Sequence, residues 1–185
     1  LRRQICPKAH APVYPWGAMW AILPETQSPH GDELDQIYDG CSVMIGLLPV
    51  GANPSDPHGR PGVSFFWSLR GDAIPLWKAE GLEAFKKRLR SLWPRAAELV
   101  EPVTDPAVFA EARYRDCVCP SWRKGRSVLI GDAAHGMSPQ LGQGANLALG
   151  DAVSLAAQLK DHAPVTHALK AFETDRKPVA RYYSL

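Results

Sequence analysis

A short apolar run, Val128-Leu129-Ile130, stops at Gly131-Asp132. A loop follows, punctuated by Gly136, Pro139, Gly142 and Gly144, and then an alanine-rich apolar segment runs to Leu159. No other stretch restricts the fold as much. Strand, glycine loop and helix in that order predict an α/β ligand site. The ligand would lie beyond the carboxyl end of the strand, facing the helix N-terminus. Along the helix, Ala145, Ala148, Ala152 and Ala156 recur on one face, and Leu147, Leu149, Val153, Leu155 and Leu159 cover most of the rest. That distribution predicts a largely buried helix.

The preceding chain reads as a sheet with a helix on it. Val13–Ile22 is expected to be a strand, with Tyr14, Trp16 and Trp20 on one face by the two-residue period and Pro15 at an edge or bulge. Pro24–Gly40 is polar and reads as a connection. Cys41–Val50 and Val63–Arg70 are apolar runs joined by the Gly- and Pro-rich Gly51–Gly62, which predicts an antiparallel hairpin. Phe65 and Trp67 would share one side of it, and Phe66 the other. Ala79–Leu92 carries Leu82, Phe85, Leu89 and Leu92 at helical spacing and ends at Pro94. Its basic residues Lys86, Lys87, Arg88 and Arg90 are read as a solvent face. Thr104-Asp105-Pro106 resembles a cap before a short helical turn, and Phe109–Cys119 a further strand. Trp122–Arg126 turns into the opening run, and Pro164 begins a last helix that Pro178 is expected to kink or end. The fold class is therefore α/β (α+β): an antiparallel or mixed sheet with a covering helix, then one strand and two C-terminal helices.

Composition excludes several classes of function. With 45% apolar and 22% charged residues and a net charge of +2, nothing points to nucleic acid or an anionic membrane. No apolar run approaches the roughly 18 residues of a membrane span. The four cysteines, Cys6, Cys41, Cys117 and Cys119, fit no metal or redox spacing and read as reduced thiols of a cytoplasmic protein. Cys117 and Cys119 would share one face of a strand, an arrangement not readily bridged. The start, Leu1-Arg2-Arg3-Gln4, and the helix-like end at Leu185 suggest a piece of a longer protein.

Asp132 carries the most chemistry. A carboxylate at a strand end beside glycine is placed to accept hydrogen bonds from hydroxyls of a ribose or ribityl chain; the alternative is a turn or cap aspartate. Gly142 and Gly144 let a ligand approach the backbone, where the first free amides of the helix favour a negative or electron-rich edge. A hydrolytic set of Ser138, His135 and Asp132 lacks the G-x-S-x-G elbow. His135 has no second metal ligand at sensible spacing, so no metal is expected.

Taken whole, Gly131-Asp132-Ala133-Ala134-His135, Pro139, Gly142-Gln143-Gly144-Ala145-Asn146-Leu147-Ala148 and Asp151-Ala152 closely resemble the second flavin-binding motif of the para-hydroxybenzoate hydroxylase-like FAD-dependent aromatic monooxygenases. Tyr14–Trp20 resembles that family's first substrate-domain strand. Trp122 and Gly125-Arg126 resemble its lead-in to the motif, and Leu1-Arg2-Arg3 resembles the residues just past its middle motif. The resemblance implies FAD as cofactor, with Gly131, Asp132, Pro139, Gly142, Gly144, Ala145 and Asn146 in its site. Asp132 would bind ribityl or ribose hydroxyls, Pro139 would lie beside the isoalloxazine ring, and the amides of residues 144–146 would face its pyrimidine edge. It further implies NAD(P)H as reductant, O2, and a small aromatic or other electron-rich substrate against Tyr14, Trp16, Trp20, Phe65 and Trp67. Residues 1–115 would form the substrate-side sheet, and residues 116–185 the returning part of an FAD-binding domain. The rest of a parent chain or a partner chain would complete the second sheet. The G-x-G-x-x-G turn for the ADP part of FAD is missing from this sequence, and Gly150 stands where a helix former is commoner. Other readings are a non-catalytic interaction module, or a halogenase, epoxidase or reductase of the same superfamily. The chain alone is expected to bind FAD weakly or not at all, which a flavin titration of the purified chain tests: tight stoichiometric binding would contradict it.

Overall fold

The structure is a computed structural model and describes residues 1–25, 32–53 and 56–184. In chain order its elements are α1 (Arg2–Ile5), β1 (Val13–Pro24), β2 (Asp35–Asp39), β3 (Val43–Ala52) and β4 (Pro61–Arg70). Next come α2 (Ile74–Leu92), α3 (Pro94–Val100), a 3-10 turn (Pro106–Val108) and β5 (Ala110–Arg115). The remainder is β6 (Arg123–Lys124), β7 (Ser127–Val128), α4 (Asp132–His135), a 3-10 turn (Pro139–Leu141), α5 (Gly144–Asp161) and α6 (Val165–Tyr183). These form two compact units. One is Pro15–Arg113; the other joins Leu1–Tyr14 to Tyr114–Leu185. The N-terminal segment thus belongs with the C-terminal half, whereas the sequence reading kept 1–115 together.

The Pro15–Arg113 unit is built on a five-stranded sheet of order β2-β3-β4-β1-β5. Alternation decides its faces. Met19, Ala21 and Leu23 of β1, Ile45 and Leu47 of β3, and Val63, Phe65, Trp67 and Leu69 of β4 all point inward. There they meet Phe85 and Leu89 of α2 and Ala96, Leu99 and Val100 of α3. Phe85 makes the centre, with Phe65, Trp67, Trp77 and Phe109 around it at ring-centroid distances of 5.1–6.0 Å. The expected hairpin is present as β3 antiparallel to β4, and β4 also pairs antiparallel with β1, setting Trp20 opposite Phe66.

Three local expectations are corrected. Asp35–Asp39 is a strand paired to β3, not part of a connection. Its charged ends and single inward residue, half-buried Ile37, hide it from a hydropathy reading. Residues 26–31 of that connection, residues 54–55 of the Gly51–Gly62 turn and Leu185 lie outside the described residues. The helix α2 begins at Ile74 rather than Ala79, with Pro75 in its first turn, where no intrahelical donor is lost. Gly81 (φ 80°, ψ 172°) breaks it internally. Lys86 is buried, not on a solvent face: its ammonium donates to the Glu101 carbonyl oxygen at 2.9 Å and lies 3.4 Å from Glu83. The expected cap at Asp105 is present, its carboxylate accepting from the Ala107 amide at 2.8 Å.

The other unit has its own small core of Ile5, Cys6, Cys119, Trp122, Leu129, Ala134, Phe172 and Ala180. The apolar run Val128–Ile130 does not sit in a parallel sheet. It contributes only β7, paired antiparallel with β6 across the Gly125-Arg126 turn, whose Gly125 has φ 59°. Leu129 is then held by its amide to the Trp122 carbonyl oxygen at 2.7 Å. The helix α5 packs against α6, yet it is not largely buried: Leu149 is 66% and Val153 72% exposed. The buried stripe is Leu147 and Asp151 with Leu155 beside the core, while Ala145, Ala152 and Ala156 of the small-residue stripe face outward. Pro178 does not end α6, which continues to Tyr183. Proline there removes one backbone donor, and packing of Phe172 and Ala180 on either side outweighs that loss. Among the described residues no helix is long and apolar enough to cross a membrane.

Close approach of β1 and β5 requires glycine at one position. A Cβ at Gly17 would run into the backbone carbonyl oxygen of Ala112. Gly17→Ala is expected to destabilise the protein by about 1–3 kcal/mol through forced separation of these strands, read as a lower urea midpoint at unchanged slope.

Candidate functional site

The loop expected to hold a ligand is shaped by a carboxylate that the sequence reading did not assign a role. Asp151, on α5, is fully buried. Its Oδ2 accepts the Gly131 amide at 2.9 Å and the His135 Nε2 proton at 2.6 Å. Its Oδ1 accepts from Arg176 Nε of α6 at 3.0 Å. A carboxylate only accepts, so His135 carries its proton on Nε2. His135 Nδ1 is buried without a partner among the described residues, and its ring lies 5.1 Å from that of Trp122. The second Arg176 nitrogen donates to the Leu147 carbonyl oxygen at 3.3 Å. A Cβ at Gly150 would come within 2.8 Å of the Arg176 guanidinium, which accounts for glycine inside this helix.

Around this buried centre the loop is pinned at each turn. Gly131 has φ 53°, and a side chain there would meet Ala148 at 3.1 Å. Arg2 reaches back to donate to the carbonyl oxygens of Asp132 (2.7 Å), which also accepts the Gly136 amide, and Ala133 (2.8 Å). The Ser138 amide donates to Asp116 at 3.0 Å. Glu173 of α6 accepts from the Trp122 amide at 2.7 Å and lies 3.0 Å from Arg123, fixing the lead-in hairpin.

What the loop presents outward is different in kind. Asp132, Pro139, Gly142, Ala145 and Asn146 are exposed, Gly144 is partly so, and Gly131 is buried as the hinge behind Asp132. The Asp132 carboxylate accepts no hydrogen bond among the described residues. No side chain caps α5, whose first amides, at 144–146, have no intrahelical acceptor. Gly142 closes the 3-10 turn in the left-handed region at φ 61°. One free carboxylate and a set of free amides suit a ligand that offers hydroxyls to the first and carbonyl oxygens or negative charge to the second. That donor set fits FAD, which carries both hydroxyls and an electron-rich ring edge.

The five aromatic residues expected to line a substrate pocket do not share one wall. Phe65 and Trp67 are core residues on the inward face of β4. Trp16 and Trp20 project from the opposite face of the sheet, where Trp20 is 41% exposed and its indole N–H donates to Ser64 Oγ at 2.6 Å. Tyr14 is half-buried and belongs to the other unit. Ser138 and Asp132 are not joined to His135, so the structure assembles no hydrolytic triad. Among the described residues there is no cluster suited to a metal ion.

A buried carboxylate bracing a glycine loop, which in turn offers an exposed aspartate and free helix amides, is an arrangement that a nucleotide cofactor fits. The FAD binding domain family matches residues 74–183. The chain belongs to the para-hydroxybenzoate hydroxylase-like family of FAD-dependent aromatic monooxygenases. It is 48% identical over 177 residues to the Lysobacter antibioticus protein named phenazine 1,6-dicarboxylic acid hydroxylase PhzS, covering 79% of this chain and 40% of that one. It is 52% identical over 59 residues to Stenotrophomonas maltophilia kynurenine 3-monooxygenase, or 32% of this chain and 13% of that protein. Klebsiella pneumoniae HpxO, solved with FAD and uric acid, superposes with a TM-score of 0.74 at 22% identity over 100% of this chain and 46% of HpxO, a likeness of fold. The chain spans less than half the length of these relatives.

Breaking the buried centre tests its role. Asp151→Ala leaves the Arg176 charge and His135 without their acceptor and is expected to cost about 3–5 kcal/mol, measured by chemical denaturation. Arg176→Met in the Asp151→Ala background is expected to recover part of that loss, because it removes the unpaired charge.

Proposed function

We propose that the chain is the flavin-facing portion of a cytoplasmic FAD-dependent monooxygenase that hydroxylates a small aromatic or heteroaromatic molecule with NAD(P)H and O2. The observation that carries this reading is the free Asp132 carboxylate on a loop braced by Asp151, followed in the same loop by the uncapped start of α5. When bound, FAD supplies the redox chemistry and the activation of oxygen.

The residues of this chain bind and orient. Asp132 would accept hydrogen bonds from hydroxyls of the cofactor chain. The α5 amides at 144–146 would stabilise negative charge at the edge of the ring. Pro139 presents an exposed, rigid apolar surface beside the ring. Gly142 and Gly144 keep the backbone open to approach, and Gly131 holds the turn behind Asp132. For the substrate wall we retain Trp16 and Trp20, which share one face of β1, and leave out Phe65 and Trp67, whose rings are taken up by the core. The heteroaromatic substrate named for the Lysobacter relative supports a planar ring as the substrate class.

Asp132→Ala in the protein that contains this chain is expected to weaken FAD about tenfold or more, the scale of 1.5–3 kcal/mol for a hydrogen bond to a charged group. The melting temperature without cofactor should hardly change, since the side chain is exposed and makes no described contact. Flavin titration and the rate of aromatic-stimulated NAD(P)H oxidation across phenols and heteroaromatics read the outcome. Unchanged flavin affinity with full activity would overturn the assignment.

A further inference from the structure

The Sγ atoms of Cys117 and Cys119 lie 3.6 Å apart. Both are free thiols. Residues two apart in an extended chain point the same way and are about 6.6 Å apart at Cα. That spacing falls at the upper end of the range disulfides span, so a bond of about 2.05 Å needs the sulfurs to close by about 1.5 Å and the backbone around Val118 to draw the two Cβ atoms together. The sequence reading judged these thiols not readily bridged; the side chains converge instead.

Their surroundings hold them in place. Val118, between them, exchanges two backbone hydrogen bonds with His10, at 2.9 and 3.2 Å. The Cys117 amide donates to the Gly136 carbonyl oxygen at 2.6 Å, and Cys119 Sγ lies 3.9 Å from the Ala133 carbonyl oxygen. The pair is therefore bonded to the segment that carries Asp132. Cys119 is buried in the same cluster as Cys6, while Cys117 is partly exposed.

We propose that Cys117 and Cys119 form a reversible disulfide, a thiol modification site on the Asp132 segment that exchanges with small-molecule disulfides. The partly exposed Cys117 thiolate attacks one sulfur of the small disulfide, forms a mixed disulfide and releases the other half as a thiol. Cys119 then loses its proton and attacks Cys117 Sγ, releasing the second half as a thiol. The two protein thiols are oxidised by two electrons, and the small disulfide is reduced to two thiols. Burial, with the Cys117 and Cys6 thiols beside it, pushes the Cys119 thiol up to about 12, so the partly exposed Cys117 is the first to react.

The test needs no cofactor and does not depend on the flavin reading. The purified protein is equilibrated in graded ratios of oxidised to reduced glutathione, acid-quenched and alkylated after unfolding. Cleavage after Arg115 and Arg123 leaves both thiols in one peptide. As the ratio rises, that peptide is expected to escape alkylation and lose two hydrogens. Cys41, exposed, takes up glutathione in the same samples and serves as the control. In Cys119→Ser, Cys117 is expected to trap the glutathione adduct. Full alkylation of Cys117 and Cys119 at ratios that modify Cys41 would overturn the proposal, as would a Cys6–Cys117 bridge or an unmodified Cys117 in the variant.

Discussion

The unit that carries the cofactor loop depends on one buried carboxylate. Asp151 is out of contact with water and faces three donors: the amide of Gly131 at the start of α4, the ring of His135 at its end and the Arg176 guanidinium of α6. An unpaired carboxylate in that place would cost several kcal/mol, so the three donors are obligatory partners rather than additions. Together they fix the turn into α4, the ring of α4 itself and the approach of α6 to α5. The direction in which Asp132 leaves the loop depends on them, because Gly131 is held from behind and has no side chain to relax against Ala148.

This arrangement separates holding from presenting. Groups that define the loop are satisfied: the buried Asp151 and His135 Nε2, the Trp122 amide on Glu173, and at the surface the Asp132 and Ala133 carbonyls on Arg2. Groups offered to a ligand are exposed and unsatisfied: the Asp132 carboxylate and the first amides of α5. A site of this kind meets its ligand with little reorganisation, since the polar atoms that bind are already held at their positions. The N-terminal segment belongs to the holding set through Arg2, which explains why residues far apart in sequence form one compact unit.

Much of this was legible in the residues, and the limits are physical. Strands β1, β3 and β4 obey the two-residue period, and the hairpin arises from the Gly- and Pro-rich turn between β3 and β4. The Gly131–Asn146 loop was legible because its glycines, proline and aspartate occur in an order with few uses. The network behind it was not, although the signal was there. Asp151 falls four residues after Leu147, on the face that turns inward, and Arg176 continues the apolar stripe of Leu169 and Phe172. Charged residues on buried faces imply partners, but spacing cannot say which ones. The expected burial of α5 failed for the opposite reason. Apolar composition reports that a face avoids water, not that this chain supplies its cover, and Leu149 and Val153 stand in solvent. Phe65 and Trp67 were assigned to a ligand wall because aromatic content alone does not distinguish the two faces of a sheet; only the position of Phe85 does.

The contact between Gly150 and Arg176 has an evolutionary side. The guanidinium lies where any side chain at position 150 would have to go. A glycine in mid-helix weakens the helix, yet here it opens the channel through which an arginine on the next helix reaches a buried acid. The three positions 150, 151 and 176 are therefore tied by one contact, since a side chain at 150 would have to displace the end of Arg176. A lineage that lost the arginine would be free to regain a helix former at 150, and one that kept it would not, so the trio should change together or remain as it is.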